Sequence, residues 1–348
     1  MTTTEPTTPW QALAAKALRG EILSFEEALS VLQAPDDELL PLLHAAFTVR
    51  RHYFGRKVKL NVLMNAKSGL CPEDCGYCSQ SIVSKAPIEK YPFRSAADIV
   101  EGARRAWDAG AGTYCIVASG RGPTKKELQH VAAAVRQIKA ELPLRVCACL
   151  GLLDAEAARV LKEAGVDRYN HNLNTSARHY ARITSTHTYA DRVETVRAVQ
   201  ANGISPCSGC IVGMRETDED IYAVAVALRE LDVDSIPVNF LHAIPGTPLA
   251  DCDELNPRRC LKILALFRFM CPSMEIRISG GREVQLRSLQ ALGLYAANSL
   301  FLGDYLTTPG QPAQADLQMI ADLGFEVERP EESAGPGLAP PARTAAAT

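Results

Sequence analysis

A chain of 348 residues has room for two average domains or one large one, and an α/β barrel commonly takes about 250 residues. With 37 Lys and Arg against 40 Asp and Glu, the formal charge is -3, so no basic excess recommends nucleic acid or an anionic membrane as partner. No apolar run approaches the roughly 18 residues of a membrane helix, and the Thr- and Pro-rich start carries Glu5 where a secretory signal would carry Lys or Arg, so the expectation is a cytoplasmic protein of small-molecule chemistry. Eleven cysteines in a reducing compartment then argue for ligation or reactivity and against disulfides.

The first 56 residues read as a helical cap with a disordered start. Amphipathic helices are expected over 10–20, 24–33 and 37–54, the second opening on the capping box Ser24-Phe25-Glu26-Glu27. From residue 57 the pattern becomes β then α, repeated. Strands are expected at 59–65, 113–119, 145–151, 168–174, 205–213, 235–242, 275–280 and 298–306. Helices are expected between them at 96–109, 125–141, 155–164, 189–202, 218–231, 257–270 and 284–295, and a last one at 313–323. About eight such units without a break in pattern predict a (β/α)8 barrel of the TIM type over 57–326, with the N-terminal helices as an extension. The Pro-, Ala- and Gly-rich stretch 327–348 reads as a disordered tail.

The loop after the first strand is Cys71-Pro72-Glu73-Asp74-Cys75-Gly76-Tyr77-Cys78, three thiols in eight residues. Thiols grouped so tightly point to a metal site more readily than to a core. A structural zinc site wants a fourth ligand, which does not follow nearby, and a c-type haem needs His where Ser79 stands. A redox-inert triplet and a partial zinc knuckle stay open on spacing alone. Further along, Cys115, Cys147, Asn170, Asn172, Cys207, Asn239 and Arg277 all fall within expected strands, where a filled barrel would carry Val, Ile and Leu. Asn170 and Asn172 share a face. One strand cysteine by itself is most simply a small buried hydrophobe, and periodicity in Ile276-Arg277-Ile278 favours the isoleucines as the inward pair.

The three-cysteine loop resembles that of the radical S-adenosylmethionine enzymes. With Tyr169-Asn170-His171-Asn172-Leu173, Pro206-Cys207-Ser208-Gly209, Asn239-Phe240-Leu241, Gly246-Thr247-Pro248-Leu249 and Ile276-Arg277-Ile278-Ser279-Gly280-Gly281-Arg282-Glu283, the chain is similar to the biotin synthase family over nearly all of 57–326. The resemblance implies a sulfurtransferase that inserts sulfur into dethiobiotin, using 5'-deoxyadenosyl radicals from S-adenosylmethionine and sulfide from a second iron-sulfur cluster. It assigns Cys71, Cys75 and Cys78 to a 4Fe-4S cluster, leaving one iron open to S-adenosylmethionine. It assigns Cys115, Cys147, Cys207 and Arg277 to a 2Fe-2S cluster that is consumed as sulfur donor. It places Asn170 and Asn172 on the ureido ring of dethiobiotin with Asn239 close by, and Tyr77, Arg192, Asn174 and Ile211 around S-adenosylmethionine, Arg192 facing its carboxylate. A homodimer and a reductant such as flavodoxin or ferredoxin are implied as well.

The sequence also departs from the pattern. Cys149 and Cys210 add thiols beside two ligands of the second cluster, and alternation puts Cys149 on the face of Cys147. Asn174 stands where an acidic ribose contact is expected, and Ala118-Ser119-Gly120-Arg121-Gly122 replaces the Gly-Gly-Glu common after the second strand. Gly209-Cys210-Ile211-Val212-Gly213 with Glu216 resembles the adenine-side motif. His44, His52, His130 and His179 read as ordinary, His171 as facing away from the two asparagines, and His242 as closing its strand near the site. Cys252, Cys260 and Cys271 read as structural thiols.

Overall fold

The computed structural model describes residues 8–328; the expected disorder at the start and in the tail falls mostly on 1–7 and 329–348, outside the described residues. Helices α1 (Pro9–Leu18), α2 (Phe25–Leu32) and α3 (Leu39–Phe54) precede nine parallel strands. These are β1 (Lys57–Lys67), β2 (Thr113–Ala118), β3 (Arg145–Cys149), β4 (Arg168–Asn170), β5 (Ser205–Cys207), β6 (Cys210–Val212), β7 (Ser235–Phe240), β8 (Glu275–Ile278) and β9 (Ser299–Phe301). β1 pairs with both β2 and β9, which closes the sheet, and β5 and β6 share one stave by pairing in turn with β7. The result is the expected eight-stave barrel. A short β10 (Glu326–Val327) pairs with the start of β1, so Val327 belongs to the ordered body and not to the tail.

The outer helices are α4 (Ala96–Asp108), α5 (Lys125–Glu141), α6 (Ala155–Ala164), α7 (Tyr189–Ala201), α8 (Asp218–Glu230), α9 (Pro257–Met270), α10 (Arg282–Gln285), α11 (Gln290–Gly293) and α12 (Ala313–Asp322). Their starts are chemically marked. Ser24, Ser95, Thr124, Thr188 and Thr217 each form a capping box with an acidic residue three positions on, worth about 1 kcal/mol per cap. The cap packs on α9. Fully buried Arg50 fastens it to the barrel, donating to the carbonyls of Ala297 (2.9 Å), Gly55 (2.5 Å) and Lys57 (2.8 Å).

Four expected elements differ, the first being the strand expected at 168–174, which stops at Asn170. The run 205–213 is two short strands, because Gly209 passes so close to the Pro237 carbonyl that a Cβ there would collide, and the ladder breaks around it. The run 298–306 is strand only over Ser299–Phe301. The expected helix 284–295 is α10, a 3-10 turn at Arg287–Leu289 and α11, interrupted where Arg287 takes a left-handed φ of 50°.

Candidate active site

Every thiol of the loop after β1 lines one cavity of about 400 Å³, as do residues from β2, β3, β7 and β8. The loop is fixed from its carboxylates. Asp74 accepts from the Ser185 amide (2.9 Å) and hydroxyl (2.5 Å) and from the Thr184 hydroxyl (2.6 Å), while the Gly76 amide donates to the Ile183 carbonyl (2.8 Å). Burial pushes Asp74 up, but these hydrogen bonds outweigh it and hold the carboxyl well below its usual range. Glu73 accepts from the Thr186 hydroxyl and from Arg121 (3.2 Å), and its Oε2 lies 2.5 Å from Nδ1 of His187. The three thiols feel the opposite pressure. Burial raises each of them, Cys78 to about 12, so their thiolate forms need a metal's positive charge.

The second set of thiols is set by strand register. Cys115 on β2 and Cys147 on β3 are direct cross-strand partners. Cys207 ends β5, its Sγ 3.2 Å from Asn170 Nδ2 and 3.9 Å from Arg277 Nη1. Arg277 points into the barrel, and Ile276 and Ile278 pack outward into the main apolar core, the reverse of what periodicity favoured. Its guanidinium is held from below: Nη2 donates to Glu275 (2.6 Å) and Ser235 (3.2 Å), and Nε donates to Ser299 (3.2 Å). Glu275 also takes Arg168 (3.0 Å) and Lys59 (3.7 Å). Burial alone would lower Arg277; Glu275, with Cys207 and Cys115 behind it, outweighs burial, so the guanidinium stays a cation.

Two buried guanidinium groups therefore share one buried carboxylate beneath three thiols. Cys115 and then burial push the Cys147 thiol well up, and burial raises Cys207, with Arg277 and Arg168 opposing in both; thiolates or an anionic iron-sulfide group here would meet that positive charge. The donor sets thus fit a cluster at each position. Of the two additional thiols, Cys149 lines the cavity with a thiol pushed up to about 12 by burial and then by Cys147. Cys210 lies in the outer core near Cys271 and Glu216, away from the cavity.

Asn170 and Asn172 lie side by side. Asn170 Nδ2 donates to Asn172 Oδ1 (3.0 Å), which also accepts from the Gly209 amide (3.0 Å). Among the described residues this leaves Asn170 Oδ1 as an acceptor and Asn172 Nδ2 as a donor for a ligand. Asn239 lines the same cavity with both amide ends engaged, donating to the Cys210 carbonyl and accepting from the Gly280 amide, each at 3.0 Å. Asn174, in a left-handed conformation (φ 69°), donates to the Tyr77 hydroxyl (2.6 Å), and its carbonyl accepts from the Ile211 amide (2.8 Å). Glu216 accepts from the amides of Gly213 (2.7 Å) and Met214 (2.6 Å). His242 lines the cavity. His171 does too, because β4 ends at Asn170 and strand alternation stops with it.

Arg192 is buried against the cavity wall, bonded to the Asn172 carbonyl (2.9 Å), the Tyr180 hydroxyl and Nε2 of His187 (2.8 Å). Sequence reasoning passed over His187 and the run Thr184-Ser185-Thr186 before it. The available signal was three consecutive hydroxyls ahead of the α7 capping box, too many for one helix start.

Comparison with known proteins gives the family and the fold. The Radical SAM superfamily model matches residues 67–228, and the Biotin and Thiamin Synthesis associated domain matches 237–326. The biotin synthase of Halalkalibacterium halodurans is 64% identical over 93% of this chain and 97% of its own length, and that of Bacillus subtilis strain 168 is 61% identical over 93% and 96%. Among solved structures, methylornithine synthase (PylB) superposes with a TM-score of 0.81 at 21% identity, covering 92% of this chain and 98% of that one. The FeFe-hydrogenase maturase HydG from Carboxydothermus hydrogenoformans gives 0.78 at 17% identity over 92% and 79%; both are likenesses of fold. The chain belongs to the biotin synthase family, sulfurtransferases of the radical S-adenosylmethionine superfamily.

Proposed function

We propose that this chain converts dethiobiotin to biotin, with Cys71, Cys75 and Cys78 holding a 4Fe-4S cluster and Cys115, Cys147, Cys207 and Arg277 a 2Fe-2S cluster. The observation that carries the reading is one cavity lined by the loop thiols, by Cys115, Cys147 and Arg277, and by Asn170 and Asn172, with Cys207 reached through Asn170 and Arg277. When bound, the first cluster supplies the electron that splits S-adenosylmethionine to a 5'-deoxyadenosyl radical, and the second supplies sulfide.

The chain's own residues bind, orient and exclude. Arg192 takes the methionine carboxylate, while Asn174, Tyr77 and Ile211 face the nucleoside. Asn170 Oδ1 accepts from a ureido N–H and Asn172 Nδ2 donates to the ureido carbonyl, which matches a cyclic urea that offers both. Glu275, Ser235 and Ser299 hold three of the Arg277 donors and leave Nη1 turned toward Cys207. The barrel wall keeps water and stray C–H groups from a radical that would attack them. A low-potential donor such as flavodoxin or ferredoxin and a homodimeric assembly complete the proposal. Among the described residues no helix is long and apolar enough to cross a membrane.

The test is to reconstitute the protein with iron and sulfide, reduce it with S-adenosylmethionine present, and add dethiobiotin. Biotin should form and 5'-deoxyadenosine should rise. Release of 5'-deoxyadenosine that dethiobiotin does not stimulate at any concentration would assign a different substrate.

A further inference from the structure

We propose that His187 is a positioning residue for S-adenosylmethionine: it holds the Arg192 guanidinium on the ligand's carboxylate and ties that grip, through Glu73, to the loop bearing Cys71, Cys75 and Cys78. The proposal rests on the assignment of Arg192 made above and adds the residue that makes the assignment work.

The direction of the chain follows from its chemistry. Glu73 sits between Cys71 and Cys75, and its Oε2 is 2.5 Å from Nδ1 of His187; Nε2 of the same ring is 2.8 Å from Arg192 Nη2. A guanidinium only donates, so Nε2 accepts, and a neutral ring that accepts at Nε2 carries its proton on Nδ1 and donates it to Glu73. The hydrogen bonds therefore run Arg192 to His187 to Glu73. All three residues line the cavity and are at most 9% exposed. The Tyr180 ring meets the imidazole edge-on at 5.9 Å, and its hydroxyl accepts from Arg192 Nε.

Two features separate this from simple packing. Three of the five Arg192 donors are engaged, by His187, Tyr180 and Asn172, which leaves one N–H on each terminal nitrogen, the number a bidentate carboxylate takes. The acceptor behind Arg192 is also neutral. A carboxylate in its place would form an ion pair and cancel the charge the ligand needs, whereas an imidazole orients the guanidinium and leaves its charge unspent. The carboxylate is instead one ring further back, where Arg121 and Thr186 also hold it. The loop does not need His187 to stay in place, because Asp74 and Gly76 already tie it to residues 183–186.

Two substitutions separate the ends of the ring. In His187→Asn the side-chain amide can replace Nδ1 and keep the bond to Glu73 but offers nothing to Arg192; in His187→Gln it reaches the place of Nε2 and keeps the acceptor. Binding of S-adenosylmethionine, and of its analogue lacking the carboxylate, is measured by equilibrium dialysis on the iron-loaded, unreduced enzyme, with iron content and the cluster's visible absorption read on the same samples. The expected result is a roughly tenfold weaker Kd for S-adenosylmethionine in the Asn variant, the size of one lost hydrogen bond to a charged group, with the analogue unaffected. The Gln variant should stay within about threefold of the parent for both ligands. Equal weakening of both ligands, unchanged binding in the Asn variant, or the loss appearing in the Gln variant and not in the Asn variant would overturn the proposal. Arg192→Gln is the control for the underlying assignment: if it fails to discriminate between the two ligands, Arg192 does not face the carboxylate, and the error lies there and not in His187.

Discussion

The two sets of thiols are built in opposite ways, and of the second set Cys115 and Cys147 line the cavity while Cys207 lies behind Asn170 and Arg277. Cys71, Cys75 and Cys78 ride an irregular loop whose shape comes from side chains, with Asp74 and Glu73 gathering hydroxyls, amides and an imidazole from residues 183–187. Cys115, Cys147 and Cys207 ride strands, where backbone register alone puts Cys115 opposite Cys147 and Asn170 opposite Cys207. The first arrangement is held by side-chain bonds to another segment and not by a strand ladder. The second is as rigid as the barrel, and it stands on a buried charge network, Arg168, Glu275 and Arg277, that favours anions above it. On the proposed reading the side-chain-held set serves the cosubstrate and the register-held set presents the sulfur.

The comparison predicts different failures. Changing any one of Cys71, Cys75 or Cys78 to Ala should abolish cleavage of S-adenosylmethionine, read as loss of 5'-deoxyadenosine; a variant that still holds four irons there and cleaves would break the distinction. Cys147→Ala should keep measurable 5'-deoxyadenosine release but make no biotin, and equal loss of both products would mean that the two sets act as one. Asn170→Ala or Asn172→Ala should leave both clusters' absorption intact and weaken dethiobiotin binding by about 1 to 3 kcal/mol, the cost of stranding a buried partner.

A smaller effect concerns pH. Burial, then Arg192, holds His187 below its ordinary value of 6.5, with Glu73 opposing, so the ring stays neutral at neutral pH. Protonation would place a donor against the Arg192 donor. The ratio of S-adenosylmethionine affinities between parent and His187→Gln, in which the titration of the ligand's own amine cancels, should therefore be flat above pH 6.5 and fall only on the acid side, once the lowered value is reached. Smallest in its effect on chemistry is Arg50→Leu, which should lower unfolding stability by about 3 kcal/mol through three stranded carbonyls while leaving dethiobiotin affinity unchanged.

Most of the barrel was legible because β-rich runs and helix-period runs alternate with clear caps; the strand starts at Thr113, Arg145, Arg168, Ser205, Ser235 and Glu275 come directly from that pattern. Where it failed, a local backbone event intervened: Gly209 against Pro237, Arg287 in the left-handed region, and β4 stopping at Asn170 so that His171 turns inward. The thiol loop stood out by its spacing as a candidate metal site, and only the family resemblance narrowed it further. The floor was not, since Ile276-Arg277-Ile278 obeys ordinary alternation and only the placement of Glu275, Ser235 and Ser299 explains an inward arginine. His187 was hidden for a related reason: both its partners lie far away in sequence or on the next helix, and no local pattern announces a ring whose two nitrogens serve different elements.

The central claim is that the barrel-floor set supplies the sulfur. Its most direct test is to rebuild the second cluster with isotopically labelled sulfide, run a single turnover with dethiobiotin and no other sulfur source, and weigh the biotin. Labelled biotin, with loss of the second cluster's absorption in step with product, is the predicted result. Unlabelled biotin from a fully labelled cluster would contradict the account and leave the floor cluster as an electron relay.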